Sequence, residues 1–330
     1  MPTAGNASGP SRWQQELAQA VRSPAELAAA LDLSPELMSA GAAGDFPLLV
    51  PRAFIARMRR GDPDDPLLRQ VLPGAAELVA VEGFDHDPVS EQAGCALRPG
   101  LLQKYPGRAL LVTTGACAVH CRYCFRRHYP YGEADRRGAW WRDAVTAIAA
   151  AGDIEEVLLS GGDPLVLPDR TLAALAADLR AIPGLRRLRV HTRVPVVLPS
   201  RVDDALLAWL SAGESVVVIH ANHPAEIDDA VAAATRRLQA HGITVLNQSV
   251  LLAGINDDAA VLAELSNRLS AAGVVPYYLH QLDRVAGAAH FAVSDERARA
   301  LQLALRQALP GYLVPRLVRE VPGLQFKLQL

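Results

Sequence analysis

Lysine is almost absent from this 330-residue chain: Lys104 and Lys327 are the only two, and every other basic residue is arginine. Four cysteines are too few for a disulfide framework, and three of them crowd into eight positions, which suits metal chemistry in a reducing compartment. No run approaches the ~20 apolar residues that span a bilayer. The opening "MPTAGNASGPSRWQQELAQA" lacks the basic and apolar regions of a signal peptide. A net charge of −2 offers no global field for nucleic acid or an anionic membrane. Low-complexity segments and short tandem repeats are missing too. These absences predict a cytoplasmic protein with neither a nucleic-acid nor a membrane partner. Half the residues are hydrophobic, enough for a sizeable core.

Residues 1 to about 100 read as helical segments joined by turns. "SRWQQELAQAVRS", "SPAELAAALDL" and "PRAFIARMRRG" carry apolar residues at helical spacing, with Ser or Pro near their starts. From Arg108 the rhythm changes. Six apolar, β-rich runs ("RALLVTT", "EVLLSGG", "LRRLRVHTR", "SVVVIHA", "TVLNQSVLL", "VVPYYLH") alternate with amphipathic helical stretches that end at Gly or before Pro. Six strand–helix units predict a parallel sheet with right-handed crossovers, and six are too few to close a full barrel. The expected fold is α/β, a partial (β/α)6 TIM-like barrel. It would have an N-terminal helical region over 1–105, the barrel over 106–292, and a C-terminal helix and lid over 293–330.

"GACAVHCRYCFRRHYPYG" (115–132) sets Cys117, Cys121 and Cys124 as C-x3-C-x2-C just after the first strand, on the face where barrels carry their chemistry. Three thiolates fall one short of a closed tetrahedral site. Two readings are open. Structural zinc could take His120 or His128 as its fourth ligand. A cubane iron–sulfur cluster held by three cysteines instead leaves one iron open, where S-adenosylmethionine could chelate through its amino and carboxylate groups.

The surrounding words are more specific. "CRYCFRRH", "LLSGGDPL", "RVPVVLPSR", "NQSVLLAGIND" and "PYYLHQLD", in this order on a six-unit barrel, resemble the lysine 2,3-aminomutases of the radical S-adenosylmethionine superfamily. The likeness is greatest to the short EpmB-type branch, whose product β-lysine modifies translation elongation factor P. It covers nearly the whole chain.

What the resemblance implies can be weighed residue by residue. A lone GG is usually an ordinary turn, but in the superfamily the turn at Gly161, Gly162 and Asp163 receives the methionyl amine of the cofactor. Gln248 is a weaker candidate for the same pocket. Arg108 and Arg126, which could otherwise be surface charges, match the arginines that hold the phosphate of pyridoxal 5′-phosphate and the substrate carboxylate. Guanidinium forks suit both tasks, and Arg127 should then face elsewhere. Lys327 matches the family's Schiff-base lysine, a role arginine cannot take; Lys104 precedes the first strand, at the expected wrong end of the barrel. The approach "GLQFK" and the following "LQL" depart from the family pattern, which is richer in Gly and Pro before the lysine and has Thr-Pro after it. Asp283 matches the carboxylate that pairs with the substrate's ε-ammonium, and Glu320 the place of a second acid. His220 and His223 of "HANHP" read as pocket lining, and Cys95 as a free thiol without function.

The implied activity is an isomerase that interconverts L-α-lysine and β-lysine with a 4Fe–4S cluster, S-adenosylmethionine and pyridoxal 5′-phosphate. Its partners would be L-lysine, a flavodoxin- or ferredoxin-type electron donor, and functionally elongation factor P with its lysyl-ligase. The chain runs only three residues past Lys327 and has no further cysteines for zinc, which favours this branch over the catabolic aminomutases. Rivals are an aminomutase for another amino acid or for free-lysine metabolism, and a non-catalytic zinc-binding scaffold.

Overall fold

Val, Leu and Ile dominate the six runs from Arg108 to Gln281, and all six form strands of one sheet, as such runs do when covered on both faces. The computed structural model describes residues 9–34, 46–91, 96–98, 100–133 and 140–330; Cys95 lies outside them.

The ten strands are β1 (Ala96–Arg98), β2 (Leu101–Tyr105), β3 (Arg108–Thr114), β4 (Glu156–Gly161), β5 (Arg187–Thr192), β6 (Ser215–Ile219), β7 (Thr244–Leu251), β8 (Val275–Gln281), β9 (Arg316–Arg319) and β10 (Leu328–Gln329). They pair in sequence order, and β1 does not meet β10, so the barrel is open. From β3 to β9 every pairing is parallel, with Val157 beside Ala109 and Leu188, and Leu279 beside Leu317. This is the predicted partial barrel.

The described helices are α1 (Arg12–Ala18), α2 (Pro24–Ala30), α3 (Arg52–Ile55), α4 (Pro66–Arg69), α5 (Arg142–Ala151), α6 (Asp169–Arg180), α7 (Val194–Val197), α8 (Asp204–Leu210), α9 (Asp229–Ala240), α10 (Ala259–Ala271) and α11 (Asp295–Ala308). Asp203, Asp228, Asp258 and Ser294 cap α8, α9, α10 and α11 by accepting their orphan N–H groups. Leu172, Leu175 and Leu179 of α6 and Val231 and Leu238 of α9 are fully buried in the core cluster around the sheet.

The ends of the sheet differ from the sequence expectation. β2 turns back antiparallel on β3 inside the stretch read as helical. The Pro/Gly-punctuated tail also joins the sheet. β9 runs parallel to β8, β10 returns antiparallel to β9, and Leu330 N donates to Leu317 O at 3.1 Å. Strands of two to five residues carry too little alternation to be read from a pattern.

Candidate active site

The cysteine loop leaves β3 at Thr114 and is tied down by the N-terminal region. His120 N donates to Leu49 O at 3.0 Å, Arg122 N to Gln70 O at 2.9 Å, and the Arg122 guanidinium to Phe46 O at 2.6 Å. Arg122 is fully buried and places Nε 2.8 Å from Glu77 Oε1, while Arg127 donates to Glu77 Oε2 at 2.9 Å. Arg127 is thus paired with Glu77, yet like its neighbour Arg126 it lines the cavity.

Each candidate fourth ligand for zinc has one ring nitrogen against a backbone carbonyl. His120 Nδ1 meets Pro47 O at 2.7 Å and its ring stacks on Phe46; His128 stacks on His86 and its Nε2 meets Ala286 O at 3.3 Å. Cys117, Cys121 and Cys124 are half-buried thiols lining one cavity. Among the described residues, no group of three or more His, Cys, Asp or Glu is gathered to hold a single metal ion. Three thiols on one cavity are a donor set that fits a cubane, in which each cysteine would bind a different iron. Burial pushes the Cys124 thiol up to about 11, with Cys121 adding to the shift, and Cys117 is raised by burial and by Cys124. Iron must displace those protons when it binds.

The cavity, about 590 Å³, is lined by the three cysteines, Gly161, Gly162, Asp163, Gln248, Arg108, Arg126, Asp283, Glu320, Lys327, His120 and His220, but not by His128 or His223. His223 instead caps a turn, its Nδ1 accepting from Ala225 N at 3.1 Å. The Gly161–Gly162 turn ends β4 against the chain entering the cysteine loop. A Cβ at Gly161 (φ +127°) would lie 2.5 Å from Thr114 O, and one at Gly162 2.2 Å from Ala116 O. Only glycine allows so close an approach. Asp163 is occupied by protein donors: Oδ1 accepts from Thr192 Oγ1 (2.7 Å) and Leu165 N (3.0 Å), and Oδ2 from Arg193 N (2.7 Å). It binds the turn to the end of β5, and burial still raises it to about 6. Gln248 Nε2 lies 2.6 Å from His220 Nε2; burial holds His220 down to about 3, so the ring is neutral.

The charged groups fall into two kinds. Some are engaged by the protein. Glu91 takes Arg126 bidentately, Nε–Oε2 at 2.6 Å and Nη2–Oε1 at 2.7 Å, and Arg126 Nη1 donates to Ser160 Oγ at 2.9 Å. Three of the five guanidinium N–H groups are thus used. Both partners are buried; desolvation works against each charge, yet their pairing lowers Glu91 and raises Arg126. Glu320 is ion-paired with Lys327, lies 3.8 Å from Lys104 and accepts from Tyr105 Oη. Others are uncommitted. The Asp283 carboxylate has no hydrogen-bond or ion-pair partner among the described residues, although its backbone carbonyl accepts from Val285 N at 2.7 Å, and burial raises the carboxyl to about 6 against the pull of Lys327. Arg108 has no carboxylate partner there and stacks its guanidinium over Tyr105 at 4.8 Å.

Lys104 is a correction. It lies 3.5 Å from Glu91 and lines the cavity, not the wrong end of the barrel, because β2 folds back along β3 and the open barrel admits it from the side. Sequence reasoning also missed Glu91, whose only signal is a charge 35 residues before its partner. His191 and His280 were missed as well. Both rings are held neutral, chiefly by burial, and their Nε2 atoms are buried with no hydrogen-bond partner among the described residues. Both residues line the cavity.

Comparison with known proteins narrows the chemistry. Residues 111–265 match the Radical SAM superfamily. The chain is 48% identical to L-lysine 2,3-aminomutase of Escherichia coli (strain K12), over 95% of this chain and 93% of that one. It is 46% identical to L-lysine 2,3-aminomutase of Haemophilus influenzae, over 94% and 93%. The enzyme of that name from Clostridium subterminale is 37% identical over 82% of this chain and 65% of its own length. Among solved structures, a radical SAM methyltransferase from Sphaerobacter thermophilus aligns with a TM-score of 0.45 and 20% identity, over 66% of this chain and 68% of that one, too distant to add to the assignment.

Proposed function

The chain belongs to the L-lysine 2,3-aminomutase family of the radical S-adenosylmethionine superfamily, and from that premise we propose that it interconverts L-α-lysine and β-lysine with pyridoxal 5′-phosphate. The family makes it an isomerase that uses a 4Fe–4S cluster and S-adenosylmethionine. The observation that carries the substrate assignment is Asp283, an uncommitted carboxylate in the cavity shared by the cysteine loop and Lys327. A substrate with a cationic terminus supplies its missing partner; one with an acidic terminus does not.

The cluster and S-adenosylmethionine supply a hydrogen-abstracting radical, and pyridoxal 5′-phosphate supplies the imine chemistry by which nitrogen moves between Cα and Cβ. The protein's own share is binding and orientation. Cys117, Cys121 and Cys124 would hold the cluster. The Gly161–Gly162 turn, its shape fixed by Asp163, would receive S-adenosylmethionine, with Gln248 lining the same cavity. Arg108, a cation without a carboxylate partner among the described residues, suits a phosphate, and Lys327 is the amine. Arg126 keeps two N–H groups for the substrate carboxylate while Glu91 fixes its orientation. Glu320 is the counter-charge of Lys327. Walls such as Leu158, Val250 and Leu282 keep water from the reacting atoms.

A flavodoxin- or ferredoxin-type protein would deliver the single electron, and β-lysine would pass to elongation factor P through its lysyl-ligase. The EpmB-type wording of the sequence and its near full-length similarity to the Escherichia coli enzyme support that destination. The test is an anaerobic incubation of reconstituted protein with labelled L-lysine, ornithine and glutamate in parallel, read by NMR. β-Lysine from lysine and no product from glutamate is the expected result. Lysine left unchanged by fully loaded protein, or turnover of glutamate, contradicts it.

A further inference from the structure

Arg193 follows β5 and is 6% exposed. Its Nη1 donates to Cys121 Sγ at 2.7 Å, and its Nη2 to Gln70 Oε1 at 2.6 Å and Glu226 Oε2 at 3.0 Å. The guanidinium carbon lies 5.4 Å from the Phe54 ring centroid and 5.6 Å from that of Tyr123. Glu226, fully buried, is itself fixed by Asn222 N, His223 N and Gln70 Nε2 at 2.9–3.1 Å. Asp163 anchors the Arg193 backbone. The side chain is therefore locked, and its Nε–H is buried without a partner among the described residues. No second guanidinium among them is hydrogen-bonded to a cysteine sulfur.

We propose that Arg193 sets the reduction potential of the cluster through its hydrogen bond to Cys121, with Glu226 as the counterweight. This rests on the reading of Cys117, Cys121 and Cys124 as cluster ligands. One electron entering the cluster adds one negative charge and changes no bond. A permanent cation donating to a ligand sulfur in a water-poor site stabilises the reduced state more than the oxidised one. Guanidinium is that cation at any working pH. Glu226 tempers it, so removing Arg193 and removing the Glu226 charge act in opposite directions. Gln70 adds a neutral acceptor and serves only to aim the fork.

The experiment is a potentiometric titration of reconstituted protein with dithionite, without S-adenosylmethionine, followed by EPR, with iron and sulfide measured for each variant. Arg193→Gln is expected to lower the potential by at least the 59 mV that corresponds to a tenfold change in a one-electron equilibrium. Glu226→Gln is expected to raise it, and Arg193→Lys to fall between wild type and Arg193→Gln. A loaded Arg193→Gln cluster at the wild-type potential, or shifts of the same sign in both variants, overturns the proposal and leaves Arg193 a purely structural residue. If Arg193→Gln does not take up iron, Glu226→Gln decides alone: a raised potential supports the proposal and an unchanged one overturns it. Wild-type protein that assembles no cluster overturns the cluster reading itself, and this inference with it.

Discussion

Tyr105 donates its hydroxyl to Glu320 across the open seam of the barrel, 2.8 Å from Oε1 and 3.0 Å from Oε2. The bond joins β2 to the turn after β9, two parts of the sheet that share no backbone pairing. Burial, reinforced by Glu320, raises the Tyr105 hydroxyl well above its ordinary value, so it remains a donor. Tyr105→Phe should cost about 1 kcal/mol of stability, read from the denaturant midpoint, because Glu320 keeps its ammonium partners. Glu320→Ala leaves Lys327 without its counter-charge. Its kcat/KM for lysine should fall by about 2–5 kcal/mol, at least ~30-fold.

Two lysines reach Glu320, so position alone does not choose the amine that carries pyridoxal 5′-phosphate. Lys327 pairs with Glu320 directly, whereas Lys104 divides itself between Glu91 and Glu320. Borohydride reduction of the loaded protein followed by peptide mass mapping should place the label on Lys327. Lys327→Ala should lose the label and more than ~1000-fold in activity, since a nucleophile of this kind has no substitute. Lys104→Ala should keep the label.

Asp283 should set an acid limb. Its carboxyl is raised to about 6, so it is ionised above that pH and protonated below. An ammonium needs the ionised form, and kcat/KM for lysine should therefore fall as pH drops through about 6, towards tenfold per unit. Asp163 is raised to about 6 as well, but it is held by Thr192 and Arg193. Asp283→Asn separates the two: kcat/KM should be low throughout and flat across this range.

Glu77 serves two guanidiniums at once, Arg122 and Arg127, and all three side chains are buried. Glu77→Gln strands two buried cations. It should cost about 3–5 kcal/mol of stability, and the cysteine loop should retain less iron after chelator challenge. Denaturant unfolding and iron content check the two parts separately.

The barrel was legible because its six strands are continuous apolar runs separated by capped helices, a pattern written locally. The cysteine spacing and the scarcity of lysine were legible for the same reason. Glu91 was not, since a lone carboxylate reads as a solvated charge until Arg126 is known to face it. Lys104 was misplaced because nothing in "LLQKY" shows that β2 folds back along β3. The loop anchors at Phe46, Pro47 and Leu49 act through backbone carbonyl groups, which leave no trace in residue identity. Arg193 lies in a quoted motif, yet its partners Gln70, Cys121 and Glu226 come from three distant segments.

Isomerisation of lysine in this cavity would move a hydrogen through S-adenosylmethionine. The most direct measurement uses L-lysine deuterated at C3 with the loaded, reduced protein, followed by mass spectrometry of both product and cofactor. With both C3 hydrogens replaced, deuterium is expected in recovered S-adenosylmethionine, together with a mixture of β-lysine carrying two deuteriums and β-lysine carrying only the one left on C3. β-Lysine formed while the cofactor stays unlabelled would contradict that route.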